Sequence, residues 1–279
     1  MRIITNKHIE NFKNYLINEE KSEATVSKYL HDVSVFAEWL EERDLEKVAV
    51  VEYKAHLCEK YAPASVNATL SSLNCFFAFF GWYDLRVKNL KIQRQIFAST
   101  EKELTKAEYD RLLTAAKSKK NERLFLLMQT ICSTGIRVSE LKFITVEAVE
   151  RGIAEINCKG KRRQVFLPKE LRKMLGRYLK EQNRKSGAVF VTKNGNPLDR
   201  SNIWSDMKRL CKRANVSEKK VFPHNLRHLF ARTYYNIQKD IVRLADILGH
   251  SSVNTTRIYT MESGEIHRKQ IQRLGLLRC

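Results

Sequence analysis

The sequence predicts a mostly α-helical fold with one small antiparallel β-hairpin or sheet, divided between a helical N-terminal module and a larger α+β C-terminal domain. Three observations predict it. Chain breakers are scarce, with 10 Gly and 4 Pro in 279 residues, too few for the many turns of a sandwich or barrel. Apolar residues recur at spacings of three and four from residue 7 to residue 80, and strict alternation begins only after Gly152. The charge also changes along the chain. Residues 1–90 hold 11 Lys or Arg against 13 Asp or Glu, and residues 91–279 hold 40 against 18.

The N-terminal elements follow from that periodicity. Ile9, Phe12, Tyr15 and Leu16 mark a first amphipathic helix. Ser22 caps a second, carrying Val26, Tyr29, Leu30, Val33, Phe36 and Leu40. A third spans Val48 to Tyr61. Ser65 opens a fourth through Leu70, Leu73, Phe76, Phe77 and Phe80, and Gly81 ends it. This predicts a first domain over residues 1–88. The polar, weakly periodic stretch 89–102 coincides with the charge shift and reads as a linker.

The second domain is expected over 103–279. Thr105 and Glu108 form a capping box before Leu112, Leu113 and Ala116. Leu124 to Ile131 is helical and stops at Ser133-Thr134-Gly135, and a short helix follows from Val138. Residues 153–158 alternate, Lys159-Gly160-Lys161-Arg162 makes a basic turn, and Gln164 to Leu167 returns, so a β-hairpin is predicted. Ala188 to Val191 is expected as a third strand. Helices resume over Asp199–Ala214, His224–Asn236 and Ile241–Leu248, and Ser263 caps a tail helix through Leu274.

The net charge of +20 predicts a polyanionic partner, nucleic acid before any other. Six Cys stand at 58, 75, 132, 158, 211 and 279 with no C-x-x-C spacing, which points to a reduced, cytoplasmic protein without a disulfide framework or zinc site. No apolar run approaches the roughly 20 residues of a membrane span.

Three segments hold residues suited to chemistry. Arg137 follows a glycine turn at a helix start, where its planar fork is placed to hold an oxyanion; the plainer alternative is an ion pair to Glu140. In His224-Asn225-Leu226-Arg227-His228, the i, i+3 spacing puts a proton acceptor beside a cation on one helical face. His224 and His228 also have metal-ligand spacing, but Asn225 stands where a zinc protease has Glu and no third ligand appears, so no metal or cofactor is expected. His250 follows the Gly249 helix stop, with Tyr259 nine residues on; a lone Tyr among ten is by default a buried or interface residue.

Taken together, TGIRVSEL around Arg137, the Lys159 hairpin, HNLRH at 224–228 and LGHSSVNTTRIYT at 248–260 resemble the tyrosine recombinase (phage integrase) family, its Xer-like members above all. The resemblance covers residues 100–262 through motifs, and residues 1–88 more weakly as the family's helical core-binding (SAM-like) domain. It implies a site-specific DNA recombinase with a C-terminal catalytic domain. Tyr259 would attack a phosphodiester, leaving a 3′-phosphotyrosine. Arg137 and Arg227 would clamp the scissile phosphate. Lys159 would be the general acid, with Lys161 near enough to serve instead. His224 would act as acid/base, and His250 would bond the phosphate. It implies double-stranded DNA with inverted-repeat core sites as partner, a homotetramer on paired sites or assembly with a related recombinase, and a cytoplasmic, nucleoid-associated location. Integration of a mobile element, excision, inversion and dimer resolution all fit. The alternatives are a catalytically inactive or accessory DNA-binding protein, a type IB topoisomerase-like enzyme, and an RNA-binding or scaffold protein. The tail after Tyr259 would dock in cis in the monomer and on a neighbouring protomer on DNA.

Overall fold

The structure, a computed structural model, describes residues 2–41, 43–92, 103–119, 121–158, 161–192, 194–259 and 272–274. The chain separates into two compact units, Met1–Arg94 and Gln95–Cys279.

Among the described residues the first unit is built from four α-helices. Thr5 and His8 form a reciprocal cap on α1 (Asn6–Asn18), and Ser22 caps α2 (Glu23–Leu40) by accepting from Thr25 N–H. α3 spans Lys47–Lys60 and α4 spans Pro63–Phe79. The fourth helix starts at Pro63 rather than Ser65, because proline's missing N–H costs nothing in a first turn. Phe12, Leu16, Val33, Phe36, Leu70, Leu73, Phe76 and Phe77 meet in its core. Phe12 packs edge-on against Phe76 at 5.2 Å between centroids, a favoured aromatic geometry. From α4, the Asn74 and Asn67 amides each exchange two hydrogen bonds with the backbone, at Val87 and Leu90 respectively.

The second unit opens with α5 (Lys106–Ser118), whose Thr105/Glu108 capping box is present, and α6 (Glu122–Thr134), which ends at Gly135. The helix expected at Val138 is a 3-10 turn, Val138–Phe143. Then come α7 (Val146–Arg151), β1 (Ile153–Cys158) and β2 (Lys161–Phe166). The strands pair antiparallel, with Ile153 opposite Phe166 and Ile156 opposite Arg163. Residues 188–191 do not join them as a third strand. They make only isolated bridges, Thr145 with Ala188 and Val191 with Pro197. A helix that the periodicity reading passed over, α8 (Lys169–Glu181), buries Leu171, Leu175, Tyr178 and Leu179. That i, i+4, i+7, i+8 stripe is legible between its charges.

Among the described residues, α9 (Arg200–Ala214), α10 (Pro223–Gln238), α11 (Ile241–Leu248) and the single turn α12 (Val253–Thr256) come next, followed by a 3-10 turn Arg257–Tyr259. α10 packs on α6 through Leu226 and Leu229 in the main core. A second, smaller apolar cluster joins Ala231, Leu244, Leu248 and Tyr259. The predicted linker from residue 93 to 102, the turn residues 159–160 and all of the tail helix but 272–274 lie outside the described residues. Among the described residues no helix is long and apolar enough to cross a membrane.

Candidate active site

The site is assembled at helix ends. α6 stops because Gly135 adopts the left-handed conformation, φ +65°. A Cβ there would stand 2.4 Å from Phe230 Cδ1 and 3.0 Å from Leu248 Cδ2, so the backbone approach also requires glycine. Two residues on, Arg137 is held by Glu140. The carboxylate accepts from Arg137 N–H at 2.9 Å and from Nη1 at 3.0 Å, while Nη2 donates to Gly249 C=O at 3.3 Å. Glu140 is only 3% exposed and also accepts from Arg163 Nη2 at 2.6 Å. Burial pushes its pKa up, but the Arg137 backbone donor and the Arg163 and Arg137 guanidiniums outweigh this and hold it below the usual value. Arg163 Nη1 donates in turn to Ile247 C=O, and its side chain lies against Gly249.

α10 supplies the second set. Pro223 stands in its first turn, so His224 and Arg227 come from its N-terminal end. Arg227 is 1% exposed. Its Nη1 donates to Gly135 C=O, and Nη2 donates to Leu248 C=O at 2.7 Å and to His250 Nε2 at 2.9 Å. One guanidinium thus ties together the C-terminal ends of α6 and α11. Burial and then Arg137 push its pKa down to about 10, with the Tyr259 phenol opposing, and it remains a cation at neutral pH. His224 is exposed. Desolvation of its ring, then Arg227, Arg137 and Arg200, lower its pKa.

The third set follows α11. Gly249, φ +63°, turns the chain so that His250 N–H still donates to Ala245 C=O. His250 Nδ1 lies 2.8 Å from the hydroxyl of the buried Thr256. Tyr259 is 4% exposed. Its ring meets His228 edge-on at 4.8 Å and lies nearly parallel to His250 at 6.1 Å. Burial, then neighbouring cations, push His250 down to about 4; burial, then His224 and Arg227, do the same to His228.

Arg137 stands between two clefts. One, of about 360 Å³, is lined by Arg137, Arg200, Trp204, His224 and Arg227. The other, of about 630 Å³, is lined by Arg137, Arg162, Arg163, Asp246 and His250. Of the six residues singled out in the sequence, Arg137, His224, Arg227, His250 and Tyr259 converge here from three separate segments. Tyr259 packs behind the clefts rather than lining either. Lys159 lies outside the described residues. Two guanidiniums with neutral imidazoles beside a phenol suit an anionic group that gains charge as it reacts. Among the described residues no three His, Cys, Asp or Glu are placed to hold a metal ion.

Four contributors were not singled out. Arg163 was hidden in a basic run, yet it stands two residues before the buried Val165 and opposite the buried Ile156, so strand alternation turns it inward. Thr256 carries no local signal, because its partner His250 is six residues away on an irregular loop. Arg200 and Trp204 reach the cleft from α9, which no local pattern ties to α10.

The phage integrase family profile matches residues 102–265, and the profile for the phage integrase N-terminal SAM-like domain matches residues 9–82. The tyrosine recombinase XerA of Thermococcus kodakarensis is 33% identical over 98% of this chain and 96% of its own. The tyrosine recombinase XerD of Vibrio cholerae is 28% identical over 86% of each chain. A crystal structure of XerA recombinase superposes over 99% of this chain and 100% of its own with a TM-score of 0.54 at 28% identity. A lambda integrase(75-356) dimer bound to a COC′ core site shares the fold, with a TM-score of 0.74 at 18% identity over 93% of this chain and 96% of that one. With a catalytic-domain profile over more than half its length and Xer relatives aligned along nearly all of it, the chain belongs to the phage integrase family, as a tyrosine recombinase of the Xer kind.

Proposed function

We propose that this chain is a site-specific DNA recombinase that cuts and rejoins strands through a 3′-phosphotyrosine. The observation that carries the reading is the convergence of Arg137 and Arg227, with His224 and His250, around clefts backed by Tyr259. The Tyr259 oxygen attacks the phosphorus and the 5′-oxygen leaves. Arg137 and Arg227 offset the charge that builds on the non-bridging oxygens. His224, neutral at pH 7, accepts the phenol proton. Lys159, which follows β1 and precedes β2 in the sequence, protonates the leaving oxygen. His250 hydrogen-bonds the phosphate. A 5′-hydroxyl from a second strand reverses the step, so the bond energy is conserved and no metal or nucleotide is consumed.

In this reading residues 1–88 form the core-binding domain, 89–102 the linker and 103–279 the catalytic domain with its tail. The partner is double-stranded DNA with inverted-repeat core sites, and the working assembly is a tetramer on two sites in the cytoplasm, at the nucleoid. Xer relatives, the excess of basic residues after 91 and the DNA-bound structural neighbours support this. The test is a nicked suicide duplex. Wild type is expected to form an SDS-resistant adduct, and Tyr259→Phe to form none while shifting the duplex in a gel as wild type does. An adduct retained by the Phe variant overturns the assignment.

A further inference from the structure

The contact between Arg227 and His250 fixes the position of a proton. A guanidinium only donates, so the 2.9 Å approach of Arg227 Nη2 makes His250 Nε2 the acceptor. The ring proton of the neutral imidazole therefore sits on Nδ1 and is donated to Thr256 Oγ1 at 2.8 Å. Phosphate oxygens only accept. An oxygen that takes up the Arg227 protons presents Nε2 with a second acceptor, and Nε2 must then carry hydrogen. Charging the whole ring is opposed by burial and by Arg227, Arg137 and Arg163 around it. The neutral ring meets the demand by releasing the proton at Nδ1, and Nδ1 then needs a donor. Thr256 is fully buried and its hydroxyl both accepts and donates, so it fits either state.

We propose that Thr256 is a positioning residue of the reaction: its hydroxyl accepts from His250 Nδ1 while Arg227 faces Nε2, and donates to Nδ1 when a DNA phosphate oxygen enters, so that His250 offers Nε2–H to the phosphate. One proton leaves Nδ1 for solvent and one arrives from solvent at Nε2. The ring stays neutral, and the Thr256 O–H bond turns without breaking. A carboxylate in this place would accept only and hold the proton at Nδ1. The inference rests on the recombinase reading for the bound state, whereas its free state is independent of DNA.

The test is nitrogen-15 histidine NMR on the full chain, alone and with a 20-bp duplex of unrelated sequence at low salt, on wild type, Thr256→Ser and Thr256→Val. Expected in the free chain is hydrogen on Nδ1 of His250 in wild type and Ser, and a mixed population in Val. With duplex, the proton is expected at Nε2 in wild type and Ser but not in Val. Adduct formation at saturating nicked duplex should fall about tenfold in Val and be restored in Ser, the loss of roughly one hydrogen bond. Hydrogen on Nε2 in the free wild type, or a Val variant that matches wild type in both spectra and rate, overturns the proposal. A wild type that forms no adduct with any duplex, while the free-chain tautomer follows Thr256, strikes the recombinase reading instead.

Discussion

Glu140 and the two inner histidines both lose stability in acid, but over different ranges of pH. His228 and His250 are held near a pKa of about 4, against 6.5 for an ordinary imidazole. Between those values the unfolded chain binds more protons than the folded one, so stability falls as pH drops from about 6.5 towards 4. Each ring contributes about 1–3 kcal/mol to that loss once solvent screening is allowed for. The Glu140 carboxyl is held below its ordinary 4.5, so its contribution is complete above that value and is lost only as pH falls through the lowered one. Urea midpoints should therefore decline already between pH 7 and pH 5, where carboxylates are still ionised. Equal midpoints at pH 7 and 5 would mean that the imidazoles titrate normally. The sequence motifs pointed to side chains that the fold brings together, but not to the residues that support them. Arg137, His224, Arg227, His250 and Tyr259 lie in compact motifs. Arg163 and Thr256 act across distances that the chain closes only on folding.

Secondary elements fix where the charges point. Gly135 ends α6, lends its carbonyl to Arg227 and lies against Phe230 and Leu248, so one residue sets the approach of three helices. Gly135→Ala should lose about 1–2 kcal/mol from the left-handed backbone alone, and more from the contact with Phe230. Adduct formation at saturating DNA should fall further than that loss of folded protein explains, because Arg137 is only two residues away. A variant with lowered stability but wild-type adduct formation would show that the turn does not position Arg137. Capping signals made two helix starts legible: Ser22 and Thr105 stand where their hydroxyls accept from a first-turn N–H, whereas the caps at Thr5 and Asp199 emerge only in the structure. The misreadings have a common cause. Ala188–Val191 has strand composition but bonds to the Ile144 backbone and to its own turn. The Val138 segment tightens into a 3-10 turn as Arg137 and Glu140 engage one another. Tertiary contacts outweighed local propensity in both.

The whole molecule carries its basic excess after residue 91, and the two-unit division was legible from that shift and from the helical pattern before it. If the clefts meet DNA, affinity should fall steeply with salt, by roughly 0.9 in log K per log salt for each phosphate neutralised. Arg200, on the wall of the cleft shared by Arg137 and Arg227, should account for about one such unit. A salt slope unchanged in Arg200→Ala would remove that side chain from the DNA-facing surface. In the proposed reaction Tyr259 itself bonds to DNA. Trypsin cuts after Arg257 and Arg268, which isolates Tyr259 as the single tyrosine of the peptide 258–268. Digesting the trapped adduct with nuclease and trypsin and fragmenting it by mass spectrometry reads the linkage directly. A 3′-nucleotide is expected on Tyr259 within that peptide. A nucleotide found instead on the peptide 233–239, which holds Tyr234 and Tyr235, would contradict it.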